Sequence, residues 1–325
     1  MSGPVLIGGL ERTGTSLIFA LLASHPRIAM TRRTNWWTYF DGRFGDLSRD
    51  DALARILDEM RRYRRHRKLE LDFERLEGDF RAGERSYCRL FDLMESQHAE
   101  GVGRPRWGDK SLHTERYADR VYECFPEARI IHMIRDPRDR YASVLKRWQS
   151  KRGGVGSATA AWLASVELGS RNVERHPGRY MLLRYEDLVR DPEGKLREIC
   201  EFIAEPYDAA MLGMSGASDF RDSGGNSSFG RFSAGEISPR SIGRFRQMLS
   251  PRQIAFVQRV AGDEMRALGY EGAEAPLEGS ERLAYALGTV PANAAKMALW
   301  RARERWYDLT GRAPSAETMV ADTAA

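Results

Sequence analysis

The stretch Val5 to Pro26, VLIGGLERTGTSLIFALLASHP, constrains the fold more than any other part of this chain. A short apolar run, a glycine-bearing turn and an apolar helical pattern follow one another directly, and the His25-Pro26 pair stops the helix. Such a strand-loop-helix unit makes an anion cradle, because the turn's backbone N–H groups and the helix N-terminus point at one spot. From Gly9 to Ser16 the spacing is G-x-x-x-x-G-T-S, so Thr15 stands where a nucleotide-hydrolysing phosphate loop carries lysine. A helix end favours an anion by roughly 0.3–1 kcal/mol, or about 2 kcal/mol when partly buried. Specificity must therefore come from side chains, and Arg12, Thr13, Thr15 and Ser16 supply a guanidinium fork and three hydroxyls.

Two more apolar runs, RIIHMI (129–134) and RYMLLRY (179–185), read with 5–9 as buried parallel strands. After 129–134 a helix starts with Asp136 as N-cap and Pro137 at its first position. After 179–185, Asp191 and Pro192 open a helix whose apolar face is Leu196, Ile199, Cys200 and Ile203. The alternation predicts an α/β fold, a three-layer architecture with a mostly parallel central sheet flanked by helices. Ligands of such sheets bind beyond the carboxyl ends of the strands, which here deliver Arg12, Arg135 and Tyr185 to one place.

The main domain is expected over 1–275, with a helical insertion at about 45–105. Within it, residues 50–75 end in a basic cluster that is either a solvated helix face or a rim attracting an anionic substrate. The glycine- and serine-rich stretch 213–240 is long enough to be a lid or a disordered loop. Residues 276–325 read as a helical appendage with a disordered tail. Its stripe of Ala295, Leu299, Ala302, Trp306 and Leu309 would be buried against the main domain, or against a second copy in a homodimer.

Net charge is +5, with 51 basic and 46 acidic residues, which fits either anionic partners or an ordinary surface. Only six of the basic residues are lysine, and an arginine-rich composition fits a high-GC bacterial source. Cys88, Cys124 and Cys200 lack C-x-x-C spacing and suggest a reduced, cytoplasmic setting. No apolar run approaches the roughly 18 residues of a membrane span, and 5–9 is too short for a signal peptide. No nucleic-acid partner is expected.

Ser143 lies eight residues after Arg135, about two turns along the helix, so one phosphate between strand end and helix could meet both. Together with LERTGTSL, the segment IRDPRDRYASVL resembles the sulfotransferase family that uses 3′-phosphoadenosine 5′-phosphosulfate (PAPS). LLRYEDLVRDPEGKL, WGDKS (107–111) and SIGRFRQMLSP (241–251) are similar to three further landmarks of that family, in family order over 4–270. The resemblance implies that Arg12, Thr13, Gly14, Thr15 and Ser16 bind the 5′-phosphosulfate, and Arg135 and Ser143 the 3′-phosphate. It places Tyr185 near the adenine, Lys110 at the transferring sulfuryl group and its bridging oxygen, and Arg244 and Arg246 in a loop over the cofactor. No metal is demanded, although Asp136 and Asp139 keep a P-loop kinase or nucleotide hydrolase in view.

Relatives of this type commonly carry a glutamate that deprotonates the acceptor hydroxyl, in a segment resembling HPEIAMPPET. This chain reads HPRIAMTRRT (25–34), with Arg33 at that position. A general base is typically worth about 10²–10⁴-fold. His113 is the first replacement, because its ordinary pKa suits the task, and Glu11 and Asp109 follow. An acidic phenol would need less help, and a carboxylate or phosphate on the substrate could pair with Arg32 or Arg33. The missing glutamate also motivates a non-catalytic, nucleotide-binding relic as an alternative. The acceptor, a small molecule, glycan or lipid, is expected against 31–45 and 213–240. There Trp36, Trp37, Tyr39, Phe40, Phe229 and Phe232 are either pocket wall or core.

Overall fold

The computed structural model describes residues 3–148, 154–230 and 232–310. Its strands are β1 (Val5–Gly9), β2 (Ile28–Arg32), β3 (Arg106–Lys110), β4 (Arg129–Ile134) and β5 (Tyr180–Arg184), forming one all-parallel sheet in the order β2-β3-β1-β4-β5. β1 runs straight into the loop and α1 (Thr15–Leu22), as the opening stretch requires. The insertion between β2 and β3 carries α2 (Asp50–Arg62), α3 (Arg64–Arg67), α4 (Phe73–Arg81) and α5 (Tyr87–Gly101). Then come α6 (Ala118–Cys124), α7 (Pro137–Trp148), α8 (Gly154–Arg175), α9 (Tyr185–Arg190) and α10 (Pro192–Phe202). The last helices among the described residues are α11 (Ser218–Asp222), α12 (Phe245–Met248), α13 (Pro251–Ala267), α14 (Ser280–Ala284) and α15 (Val290–Thr310).

Alternation along the strands builds a core on each face of the sheet. Val5, Ile7, Ile28, Met30, Ile131 and Met133 pack against α1 and α10, while Leu6, Ala29, Trp107 and Ile130 pack against the insertion helices. Each fully buried Ile or Leu contributes about 1.5–3 kcal/mol. The helix starts follow their caps: the Asp136 carboxylate accepts the Arg138 N–H at 2.8 Å, and Asp191 accepts the Gly194 N–H at 3.0 Å.

Strands β2 and β3 escape a reading based on apolar runs because β3 is RWGDK. Its Arg106 is buried by donating to the carbonyls of Gly3 and Ile203, each at 2.6 Å, and by pairing with Glu205 at 3.2 Å. Trp107 donates from Nε1 to Asp92 at 2.9 Å. Tertiary partners satisfy polar groups that the sequence alone marks as surface.

Three expectations are corrected. Cys88, at the start of α5, and Cys124, at the end of α6, are joined in a disulfide across 36 residues, leaving Cys200 as the free, buried cysteine. The bridge joins the insertion to the main chain, a proximity that local C-x-x-C spacing cannot report. On α15 the buried side chains are Asn293, Met297 and Glu304, held on α8 by the Gly156 N–H bond to Asn293 and to Arg116 by an ion pair from Glu304. Against the main domain the anticipated stripe is not buried, Leu299 staying 72% and Leu309 86% exposed, because satisfied polar groups select that docking face, and the stripe is left to the second-copy alternative. Trp36, Trp37 and Phe40 belong to the core, Trp36 stacked on both Phe40 and Phe91 and Trp37 edge-on to Phe91, and are not pocket wall. The tail assigned to disorder, 311–325, lies outside the described residues. Among the described residues no helix is long and apolar enough to cross a membrane.

Candidate active site

The loop after β1 is held open by two residues in the left-handed region that only glycine tolerates without strain, Gly9 at φ 119° and Gly14 at φ 100°. A Cβ on Gly14 would lie 2.6 Å from the Tyr185 ring, and one on Gly9 would lie 2.5 Å from the Met133 carbonyl oxygen. Thr13 turns back on the loop, its hydroxyl donating to Leu10 O at 2.7 Å, and α1 begins at Thr15. Arg12, at φ 69°, projects from the tip. Its Nε donates to Ser143 Oγ at 2.9 Å, and its Nη2 donates to Asn226 O at 2.5 Å and Ser228 Oγ at 2.9 Å.

Arg135 follows the end of β4 and reaches the same place. Its Nη1 donates to Arg12 O at 3.2 Å and its Nη2 to Ser241 O at 2.7 Å, with the guanidinium 4.5 Å above the Tyr185 ring. Arg12, Gly14, Thr15, Ser16, Arg135, Ser143 and Tyr185 thus surround one open cavity. Burial, then the charges of Arg135 and Arg147, push Arg12 down to about 10. Cations brought this close, neither in an ion pair with a carboxylate among the described residues, fit a polyanion.

The other wall of that cavity is the glycine- and serine-rich stretch, which sequence reasoning marked as a lid or loop without naming its contacts. Ser228 donates to Ser143 O at 3.0 Å, and the two hydroxyl oxygens lie 3.0 Å apart. Phe229 and Phe232 line this cavity too, on the side of Arg12 and Arg135. Serine beside asparagine in a glycine-rich run was the only signal for these contacts. Asp139 anchors the next segment by accepting the Gly243 N–H at 2.6 Å and the Phe245 N–H at 2.9 Å. Asp136 pairs with Arg138 at 2.6 Å. Arg244 and Arg246 do not line the cavity: Arg244 donates to Arg240 O at 2.8 Å, and Arg246 covers the Phe245 ring.

Lys110 stands on the other side of the loop. The sheet order places the tips of β4 and β5 to one side of β1, and the tips of β3 and β2 to the other. Lys110 ends β3 at 2% exposure, and burial, then Arg33 and Arg32, lower it to about 7. Asp109 faces the opposite side of the sheet, where the Thr31 hydroxyl lies 3.1 Å from Asp109 Oδ1 and 2.9 Å from Glu95 Oε1. Burial raises both of these carboxyl groups above the ordinary carboxylate range.

His113 opens a short turn at φ 65°, its side chain 27% exposed and its Nδ1 3.9 Å from Glu115 Oε1. Glu115 is buried and accepts the Gly9 N–H at 2.8 Å and the Ser165 hydroxyl at 3.2 Å, tying this turn to the phosphate loop. Burial alone would raise Glu115, but His132, His113 and the backbone donors outweigh it and hold it below its usual range. The Glu11 carboxylate is engaged by buried Arg140, whose Nε also donates to Glu11 O at 3.1 Å.

An all-parallel five-stranded sheet with a lysine-free anion loop at its central strand defines a P-loop-like α/β fold. The profile of the sulfotransferase family matches residues 4–209, and the chain belongs to that family. It is similar to protein-tyrosine sulfotransferase A of Caenorhabditis elegans, 28% identical over 64% of this chain and 51% of that protein. It is also similar to carbohydrate sulfotransferase 1 of Rattus norvegicus, 31% identical over 33% of this chain and 26% of that protein. The chain therefore spans about half the length of the first relative and less of the second. Among solved structures, the sulfotransferase domain of the Synechococcus PCC 7002 olefin synthase has the same fold, with a TM-score of 0.57 and 21% identity over 83% of this chain and 97% of that one.

Proposed function

We propose that this chain moves a sulfuryl group from PAPS to an acceptor hydroxyl by in-line transfer, releasing 3′-phosphoadenosine 5′-phosphate (PAP). The observation that carries the reading is the division of cations by the loop. Arg12 and Arg135 meet around one cavity with Ser143 and Tyr185, while Lys110 waits across the loop at the tip of β3. In this reading Arg135, Ser143 and Ser228 hold the 3′-phosphate, and Tyr185 lies against the base. Residues 12–16 grip the phosphosulfate with backbone N–H groups and hydroxyls.

The donor supplies an activated sulfuryl group with a good leaving group. The protein's part is to orient it and to stabilise charge that spreads onto the peripheral and bridging oxygens in a loose transition state. Lys110 protonates or hydrogen-bonds the bridging oxygen as its bond to sulfur lengthens, and Arg12 balances the peripheral oxygens. Every 1.4 kcal/mol gained at the transition state is about tenfold in rate. For the base we favour His113, which is part-exposed and beside Glu115, over Glu11 and Asp109, whose carboxyl groups are taken up by Arg140 and by the buried Thr31–Glu95 pocket.

The test is PAP release from PAPS with a panel of phenols, sugars and lipids, comparing wild type with Lys110→Ala, Arg135→Ala and His113→Ala. Turnover lost in the first two supports the reading. Tight PAP binding without turnover on any acceptor would leave a nucleotide-binding relic, and failure to bind PAP would end the proposal. An unchanged rate in His113→Ala removes histidine as the base.

A further inference from the structure

Cations remain on the β2–β3 side of the loop after the donor has taken its share. Arg32 ends β2 in register with Lys110, so on parallel neighbours their side chains leave the same face of the sheet. Arg33 follows at φ 60°, its N–H donating to Lys110 O at 2.8 Å. Neither Arg32, Arg33 nor Lys110 forms an ion pair with a carboxylate among the described residues, and Arg32 Nε is buried without a hydrogen-bond partner.

Arg65 on α3 adds a positive charge felt by both Arg32 and Lys110, while Asp219 on α11 offsets part of the field at Arg32. Burial and this mutual repulsion hold Arg32 below the ordinary guanidinium range. Two observations make the cluster a site. Lys110 is almost wholly buried, and the Arg32 guanidinium is half-enclosed beside the Phe19 ring at 5.7 Å. Burying charge with only the partial offset of Asp219 at Arg32 and of Asp109 at Lys110 is unfavourable, so Arg32, Arg33 and Lys110 fit a ligand that brings further negative charge.

The donor cannot supply all of it. In the proposed reaction its phosphosulfate lies at the loop and Lys110, and its other phosphate lies on the far side with Arg135 and Ser143. Arg32 and Arg33 are left facing the acceptor. We infer that the acceptor is itself an anion, a hydroxyl compound bearing a carboxylate or phosphate group that Arg32 and Arg33 clamp beside Lys110. Guanidinium forks match both oxyanions. This inference rests on the transfer reading and gives the basic end of the insertion a purpose, since Arg65 belongs to that cluster.

The test uses the full chain saturated with PAP, so that the phosphate loop is filled. Calorimetric titrations compare 4-hydroxybenzoate with 4-hydroxybenzamide, glucuronate with glucose, and glycerol 3-phosphate with glycerol. At least one anion should bind about tenfold or more tightly than its neutral partner, and the pair that shows the preference distinguishes carboxylate from phosphate. Arg32→Gln and Arg33→Gln should each reduce the preference and the double variant should erase it, with PAP affinity unchanged as proof of an intact fold. Equal binding of anions and neutral partners, binding of none, or a preference retained in the double variant overturns the inference while the donor reading stands. Absence of PAP binding in the wild type overturns both.

Discussion

Lys110→Met should stabilise the donor-free protein while abolishing transfer. Burial and the neighbouring arginines lower Lys110 from 10.5 to about 7. Between pH 7 and 10.5 the unfolded chain holds a proton on this lysine that the folded chain lacks, so its contribution makes folding more favourable as pH rises through that window. Below pH 7 the full cost is present. At about 1.36 kcal/mol per pH unit, that interval costs the folded state roughly 5 kcal/mol. Lysine at 2% exposure receives little screening from solvent, and methionine fills similar space without the charge.

With an unfolding entropy of about 2.1 cal/mol/K per residue, the gain corresponds to roughly 7 °C in Tm. Differential scanning calorimetry of wild type and Lys110→Met at pH 6 and pH 9 measures it, and the difference should fall from roughly 5 kcal/mol at pH 6 to about 2 kcal/mol at pH 9. An anionic donor should restore the ammonium, so PAP binding at pH 8 should take up a proton in the wild type and none in Lys110→Met. Titrations in two buffers of different ionisation enthalpy read this directly. A lower Tm for Lys110→Met at pH 6, or equal proton uptake in both proteins, would refute the picture of a buried cation awaiting an anion.

Four further outcomes are expected. Gly14→Ala should abolish PAP binding in a fluorescence titration, because its Cβ would sit 2.6 Å from the Tyr185 ring in a φ 100° conformation. Ser143→Ala should weaken PAP by about tenfold through loss of one charge-assisted hydrogen bond, while Arg135→Ala should lose more because its guanidinium also braces the Arg12 and Ser241 carbonyls. Cys88→Ser with Cys124→Ser should lower stability by about 3–4 kcal/mol from loop-closure entropy, with urea denaturation as the measure and alkylation of the native protein as the check that the bond exists. Glu115→Gln should reduce kcat without a matching loss of PAP affinity, since the carboxylate lies beside His113 and holds the Gly9 N–H.

The half of the sheet from β1 through β4 to the β5 edge was legible because short apolar runs bounded by Gly, Asp and Pro leave few other solutions. The RDP and DPE segments became helix starts for the local reason of side-chain capping. Strand β3 was not legible, since Arg106, Trp107 and Asp109 satisfy their polar atoms with Glu205, Asp92 and Thr31, all distant in sequence. The α15 docking face was misread for the same reason. Its anchors, Asn293 and Glu304, are chosen by Gly156 and Arg116 and not by hydrophobic period.

Within the site, the sequence by itself determined the loop, because glycine spacing and a helix start are local properties that any tertiary setting must respect. It also named Arg12, Arg135, Ser143, Tyr185 and Lys110 as candidates. Only the tertiary structure decided which residues share a cavity, that Ser228 joins Ser143, and that Glu11 belongs to Arg140. Electrostatic meaning was settled last. Arg33 reads in the sequence as the loss of a glutamate, but beside Lys110, Arg32 and Arg65 it becomes part of a positive field. A field depends on distances and burial between strands and helices that sequence order does not encode.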